Sequence, residues 1–299
     1  GCGTSFYGEV NWSTNMSAYT VSMWVKSGED NPTQWRAFFN TYNNPGNGFQ
    51  MDSGGSSNYR FYAHAGQGSF GANSLKSTWV HLAAVAGSSQ TKLYYNGVLV
   101  STNNWVESDW NQIEIGRNRN ADRPGNYFLD EVRVWDVALS QADIQSWMHK
   151  PLSSSHPNYS DLQVYFQMNS NSISGGNNLL DISGNSNNAT LYNVSGIQTS
   201  SSNVPVTDLI SSYQTDVESI WSSTGTSDSE DSNGLKMSVS STLAEANFVI
   251  FGNNDDNSGT TSSDISGISL RSKREWHLDE TGTVSADVKV DIGDATGHT

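Results

Sequence analysis

The chain has 299 residues, which predicts one large domain or two ordinary ones, and its single cysteine, Cys2, excludes an internal disulfide and a cysteine-based zinc site. The net charge is -15 and is concentrated late, since residues 1–156 hold 10 basic and 12 acidic side chains and residues 157–299 hold 5 and 18. An acidic surface repels phosphate backbones, which excludes nucleic acid as a partner, and no apolar run approaches the roughly 20 residues of a membrane span.

The first half of the chain shows short runs of aromatic and β-branched residues separated by turn signals such as NNPGNG. This rhythm of strand and turn is typical of β-sandwiches and β-barrels. The predicted strands cover residues 19–27, 35–42, 48–52, 59–65, 77–87, 91–102, 113–116 and 126–136.

Two local signals in this half are strong. Asn96 and Gly97 form the dipeptide that most strongly predicts a two-residue hairpin turn. Ser140 and Asp143 form a capping-box pattern, which predicts one helix that ends before Pro151.

Further strands follow the predicted helix. LQVYFQMN at 162–169 is a strand, and DISGNSNNATLYN at 181–193 follows it. Residues 194–205 have the composition of a linker, and sparser strands separated by Ser- and Asp-rich loops lie beyond them. We therefore expect two domains, at residues 1–195 and 196–299. The second is a β-rich module that is either complete or cut short.

Four motifs in chain order carry a family resemblance. YTVSMWVKS, STWVHLAAVAGSSQTKLYYNGVLV, IEIGRN and YFLDEVRVWDVALSQADI, which together span residues 19–145, resemble the laminin-G-like jelly-roll domains of the concanavalin A-like lectin and glucanase group. The resemblance implies an all-β, two-sheet antiparallel jelly-roll sandwich with one short helix, here followed by a smaller β-rich C-terminal region. We expect residues 162–169 to complete this sandwich, and a second repeat is the rival interpretation.

The resemblance also raises the question of catalysis. Retaining glycoside hydrolases of this fold need two carboxylates about 5–5.5 Å apart, from alternating acids on one strand. The nearest acidic stretches, at 107–114 and 130–136, do not show that pattern. A lyase needs a neutral Tyr or His base near a cation, a role that Tyr62 or His64 beside Arg60 satisfies. We expect no enzyme activity, with polysaccharide lyase or hydrolase activity as the alternative.

Sugar binding requires flat aromatic faces and planar polar side chains, and Arg adds bidentate recognition of carboxylate or sulfate. Arg60, Tyr62 and His64 fall on one face of the predicted strand 59–65, which is either solvated or a binding face. Exposed-looking aromatic residues and nearby arginines in polar stretches extend the predicted ligand set to Trp35, Arg36, Trp105, Trp110, Arg117 and Arg119.

Relatives of this fold often hold one structural calcium ion, and the Asp that opens the DEVRVW-type strand is a usual ligand. This implies Asp130 as a ligand, with the backbone carbonyl of Gly8 as its companion. Tyr7 stands where the family's second Asp is expected.

The sequence thus predicts a non-catalytic carbohydrate-binding module that binds a polysaccharide, with an anionic one favoured by its arginines. A structural or protein-binding adhesin module is the further alternative. The segment LRSKREWHLDETGTVSADVKV at residues 270–290 resembles a motif from large secreted proteins of marine-type bacteria. This resemblance implies a secreted or cell-surface location, within a larger multidomain chain, as a monomer.

Overall fold

The computed structural model describes most of the chain and divides it into two compact units, Gly1–Ile144 with Leu152–Ser202, and Gln145–Pro151 with Asn203–Thr299. The domain boundary predicted at 195/196 lies within residues 194–201, outside the described residues. The described residues are 6–12, 14–29, 32–41, 48–55, 57–110, 112–123, 125–169, 171–193, 202–207, 209, 211–256, 260–261, 266–267 and 271–290.

The first unit is built from strands, with a short α-helix at its boundary. The 3-10 helix Tyr159–Asp161 precedes strand β14. In chain order the elements are β1 (Tyr7–Val10), β2 (Thr14–Asn15), β3 (Tyr19–Ser27), β4 (Ala37–Asn40), β5 (Phe49–Ser53), β6 (Tyr59–Ala63), β7 (Gly66–Ser69), β8 (Val80–Ala86), β9 (Thr91–Tyr95), β10 (Val98–Asn103), β11 (Asp109–Trp110), β12 (Ile113–Ile115), β13 (Tyr127–Trp135), α1 (Gln141–Trp147), β14 (Leu162–Phe166), β15 (Ile173–Ser174), β16 (Asn178–Leu179) and β17 (Ala189–Tyr192).

These strands form two antiparallel sheets that pack face to face. One sheet has nine strands in the order β15-β16-β17-β1-β12-β4-β5-β6-β7, and the other has six in the order β10-β9-β8-β3-β13-β14. A small ladder joins β2 to β11. The predicted all-β sandwich is confirmed, and the late strands complete it, since β14 extends the six-stranded sheet and β15 to β17 extend the nine-stranded one.

The hydrophobic core lies between the two sheets. It collects the inward-facing residues of both sheets, among them Val21, Phe49, Phe61, Leu82 and Val134. Alternation along the strands produces this arrangement, because successive side chains of a strand point to opposite faces. Burying such side chains contributes roughly 1.5–3 kcal/mol each relative to exposure.

Local predictions from turn and cap residues are confirmed. Asn96 and Gly97 join β9 to β10 with positive φ values of 48° and 75°, as a two-residue hairpin of this type requires. The Oγ of Ser140 accepts the Asp143 backbone N–H at 3.1 Å, and the Asp143 carboxylate accepts the Ser140 N–H at 3.0 Å. This reciprocal pair starts α1.

The second unit is also β-rich, as predicted. Its strands form two three-stranded sheets, β18-β21-β24 and β19-β20-β25, with apolar residues such as Ile220, Met237 and Phe251 in a core cluster. The 3-10 helix Ser211–Tyr213 precedes β18. The strands are β18 (Thr215–Ile220), β19 (Ser229–Ser232), β20 (Leu235–Ser238), β21 (Phe248–Asn253), β22 (Thr260–Thr261), β23 (Arg271–Ser272), β24 (Trp276–Thr281) and β25 (Asp287–Val290). Among the residues that the structure describes, no helix has the length and apolar character of a membrane span.

Candidate functional site

The outer face of the nine-stranded sheet carries a row of hydrogen-bonding side chains, one from every strand. Each member is directly opposite the next across the strand ladder, while the alternate positions, such as Ile115 and Phe61, face the core. We call this set the outer row. From one edge of the sheet to the other it consists of Ser174, Asn178, Thr190, Glu9, Glu114, Asn40, Gln50, Tyr62 and Gln67.

A pocket of about 270 Å³ opens over one end of the outer row. Its floor comes from β5 and β6, and the loop that follows β12 forms its wall. The lining contains three arginines and no carboxylate, although acidic residues outnumber basic ones 30 to 15 in the chain. The lining residues of this pocket, the Trp35 pocket, are Trp35, Gln50, Arg60, Tyr62, Asn118, Arg119, Asn120 and Arg123.

Arg60 is held in place by a buried carboxylate. Asp52, fully buried in β5, accepts two hydrogen bonds from the guanidinium, from Nε at 2.9 Å and from Nη2 at 2.7 Å. Burial raises the pKa of Asp52, and the hydrogen bonds from Arg60 offset that rise only in part. The bidentate pair orients the guanidinium toward the ring of Tyr62, whose centroid is 4.7 Å from the Arg60 guanidinium carbon and 4.8 Å from that of Arg119.

Trp35 is the exposed aromatic side chain of the pocket. It is 40% exposed and has a positive φ of 67°, which is rare for a bulky residue. Its backbone N–H donates to the carbonyl of Ser53 at 2.7 Å, and its carbonyl accepts from the Asn118 side chain at 3.4 Å. The guanidinium of Arg123 lies 4.6 Å from the ring centroid. These contacts fix an aromatic ring in a strained backbone position beside the pocket.

Three of the predicted ligand residues lie elsewhere on the surface. Arg36 pairs with Glu29 at 3.1 Å, and His64 is exposed in the turn just after β6. Arg117 lies over Glu9 and Glu114 in the outer row. The structure therefore brings Arg60 and Tyr62 into one pocket with Trp35 and Arg119, and it leaves these three outside it.

The prediction that Trp110 is an exposed ligand platform is wrong, and Trp105 is only partly exposed. Trp110 is 1% exposed and packs in the core, with its ring edge-on to those of Tyr19 and Phe49 at 5.0 Å each. Trp105 is half-buried against the core and stacks on Phe61 at 5.7 Å. Their polar neighbours in sequence are misleading, because the segment turns these two rings inward.

The structure does not bring Asp130 and Gly8 together. Gly8 lies in β1 of the nine-stranded sheet, and Asp130 lies in β13 of the six-stranded one. Packed sheets lie about 10 Å apart, whereas oxygens that share a calcium ion at about 2.3–2.6 Å must lie within roughly 5 Å of each other. The positions of Gly8 and Asp130 in different sheets do not support the predicted pairing of these two ligands. In the described part of the chain, no group of three or more His, Cys, Asp and Glu side chains is placed to hold a metal.

A β-bulge explains where Asp130 points. The pairing of β13 with β3 shifts register between Asp130 and Arg133, and Glu131 there has a φ of 51°. Leu129 packs on the core before the bulge and Val132 after it, so the alternation changes phase. Asp130 consequently faces away from the core, and burial raises its pKa to about 7. A structural calcium ion stays a prediction, for which the described residues supply no group of three or more His, Cys, Asp and Glu side chains.

The structure also brings together a carboxylate pair that linear spacing hides. Glu9 in β1 and Glu114 in β12 are direct cross-strand partners. The Cβ atoms of such partners lie about 4.5–5.5 Å apart. The guanidinium of Arg117 donates to Glu114 and lies 3.7 Å from Glu9.

Sequence reasoning missed four lining residues of the Trp35 pocket. Asn118, Asn120 and Arg123 belong to the polar loop from which only Arg117 and Arg119 were selected. The Asn118 side chain accepts the backbone N–H groups of Asn120 and Asp122 at 3.2 and 3.3 Å, which shapes that loop. Gln50 could have been found from alternation, because its neighbours in β5, Phe49 and Met51, are core residues.

Residues 5–145 match the family model described as the concanavalin A-like lectin/glucanases superfamily. No curated protein is similar enough to count as a relative. Among solved structures, a proposed carbohydrate-binding protein from Bacteroides ovatus ATCC 8483 aligns at a TM-score of 0.52 and 18% identity. The alignment covers 62% of this chain and 56% of that one, so the matched part is little more than half of that protein. At this identity the likeness shows the fold alone.

Two further solved structures align at lower TM-scores. Domain 4 of the GH43 extracellular arabinanase AbnA from Geobacillus stearothermophilus, in complex with arabinotriose, aligns at 20% identity and a TM-score of 0.37, over 44% of this chain and 66% of that one. A SAP-like pentraxin from Limulus polyphemus aligns at 15% identity and a TM-score of 0.38, over 47% and 74%. Nothing about function follows from likenesses this remote.

Proposed function

We propose that the chain is a non-catalytic carbohydrate-binding module, on the premise that residues 5–145 match the model of the concanavalin A-like lectin/glucanases superfamily. Its ligand is a polysaccharide with acidic groups, and the Trp35 pocket binds it. In this proposal the module works as a monomer within a larger multidomain protein at the cell surface or outside the cell.

One observation carries the proposal, namely that the Trp35 pocket combines an exposed aromatic ring with three arginines and no lining carboxylate. A flat indole face stacks on the apolar side of a sugar ring. Guanidinium groups recognise carboxylate and sulfate through paired hydrogen bonds. Asp52 beneath Arg60 is fully buried, so it orients that guanidinium without lining the pocket.

Affinity electrophoresis tests the proposal with glucuronoxylan, polygalacturonate and alginate in the gel and neutral xylan as the comparison. We expect at least one acidic polymer to retard the chain, with retardation that falls as salt rises, because guanidinium contacts are screened. Trp35→Ala should lose most of the retardation while the melting temperature stays near that of the parent. An unretarded parent chain on all four polymers would refute the proposal.

A second candidate function is polysaccharide lyase activity. It is favoured by Tyr62, whose ring centroid lies within 5 Å of the guanidinium carbons of both Arg60 and Arg119 inside the pocket, at 4.7 and 4.8 Å. In such an enzyme the arginines neutralise a uronate carboxylate and a tyrosine removes the neighbouring proton. Incubation with the three acidic polymers distinguishes the two functions, because a lyase releases unsaturated sugars that absorb ultraviolet light and a binding module releases none. The same samples assayed for reducing ends test hydrolysis by Glu9 and Glu114.

A further inference from the structure

The outer face of the nine-stranded sheet carries a second exposed aromatic side chain, away from the Trp35 pocket. Tyr192, at the end of β17, is 40% exposed. It is the direct cross-strand partner of Tyr7 in β1, and the two rings stack with centroids 4.7 Å apart. Both lie on the face of the outer row, because the adjacent Leu191 belongs to the core and a side chain at Gly8 would meet it at 3.1 Å.

Arg117 fixes the position of this aromatic pair. Its guanidinium carbon lies 3.4 Å from the centroid of Tyr7, which leaves no room for another ring on that side. Tyr192 therefore stacks on the opposite side of Tyr7. The ring that faces solvent is thus oriented before any ligand arrives, and a pre-oriented group loses less entropy on binding.

The two exposed aromatic sites are far apart on one surface. Five strand spacings separate β17 from β6, and at about 4.8 Å each they amount to roughly 24 Å. Between Tyr192 and Tyr62 the outer row presents exposed Thr190 and half-buried Glu9, whereas Glu114, Asn40 and Gln50 are buried. A single sugar cannot contact both sites, whereas an oligosaccharide can.

We propose that Tyr192 is a second sugar-stacking subsite, and that the module binds an internal stretch of an extended polysaccharide across the sheet, from the Trp35 pocket to Tyr192. This rests on the proposed function and adds the length and pattern of the ligand. Glu9 and Glu114 border the second subsite with a single cation, Arg117, bonded to Glu114 and near Glu9. That end therefore takes an uncharged sugar, whose hydroxyls donate to Glu9, while acidic groups bind at the arginines.

Calorimetry tests this inference. The ligands are tetrasaccharide and octasaccharide fragments of each polymer that retards the parent chain. We expect the octasaccharide to bind about tenfold more tightly than the tetrasaccharide. Tyr192→Ala should remove that tenfold gain and leave tetrasaccharide affinity unchanged, whereas Trp35→Ala should weaken both. Tyr192→Thr, which keeps a good strand residue at this position, provides a second variant if the alanine variant folds poorly.

Phe128→Ala is the matched control, because Phe128 is an exposed aromatic residue of the six-stranded sheet. It should leave both affinities as in the parent chain. If Tyr192→Ala binds the octasaccharide as the parent does, or if the parent binds both fragments equally, the second subsite is refuted and the proposed function stands. A parent chain that no polymer retards refutes the proposed function itself.

Discussion

The outer faces of the two sheets of the first unit differ in what lies over them. On the nine-stranded sheet the outer row is polar, and its Trp35 pocket opens to solvent. On the six-stranded sheet, outward residues such as Val85, Tyr94 and Trp135 form a second apolar cluster with Leu139 and Ile144 from the segment after β13. One face of the sandwich is therefore covered by apolar residues of its own chain, and the other keeps an open pocket in a polar surface.

The difference follows the alternation of polar and apolar residues along the strands. Strand β8 is buried on both faces, whereas β6 alternates between buried and half-buried positions. A strand with one polar face needs either solvent or a ligand on that side. Substitutions in the buried clusters should therefore change stability, and substitutions of exposed residues in the Trp35 pocket should change binding.

The largest effect should come from Trp110→Ala in the core between the sheets. Removing this fully buried indole leaves a cavity, and we expect the free energy of unfolding of the first unit to fall by about 3–5 kcal/mol. Chemical denaturation measures it. Trp35→Ala is the matched control, and it should change that free energy by less than about 1 kcal/mol. Equal losses in the two variants would show that Trp35 is a structural residue.

An intermediate effect is expected for Arg119→Ala in the pocket wall. A charge-assisted hydrogen bond contributes about 1.5–3 kcal/mol, so affinity for the acidic polymer should fall about tenfold to a hundredfold. Quantitative affinity electrophoresis measures this loss. Arg36→Ala is the matched control, because Arg36 lies outside the pocket and pairs with Glu29 near the surface. Similar losses in both variants would mean that overall charge, and not the pocket, attracts the polymer.

The smallest effect should come from Ser140→Ala at the start of α1. The variant loses the hydroxyl that accepts the Asp143 backbone N–H, which costs about 1 kcal/mol of stability. Thermal unfolding should show a lower midpoint, and polymer retardation should stay unchanged, because the helix lies on the covered side. Reduced retardation at full folding would contradict the separation of the two faces.

Local signals in the sequence predicted much of this structure. Asn96-Gly97 gave the β9–β10 hairpin, and alternation in residues 59–65 placed Arg60 and Tyr62 together on the outward face. These predictions depend only on backbone conformation and on the period of a strand, and both are encoded within a few residues.

The remaining features depend on contacts between distant segments. Glu9 and Glu114 meet only because β1 pairs with β12, and Trp110 is buried only because its segment turns into the core. Simple alternation would place Asp130 on the same face as Val132, but the bulge at Glu131 places it on the opposite face, and no residue there marks a bulge as a glycine would. Pairing between distant strands and shifts of register are not readable from one sequence.

The most direct test of the account is an NMR titration of the chain with an octasaccharide of the polymer that retards it, following the indole N–H signals of the tryptophans. The account predicts that the Trp35 signal, assigned by its loss in Trp35→Ala, shifts as the sugar is added, while the signal of the buried Trp110 stays in place. A Trp35 signal that does not move during saturable binding would contradict it, because the ligand would then occupy a different face of the molecule.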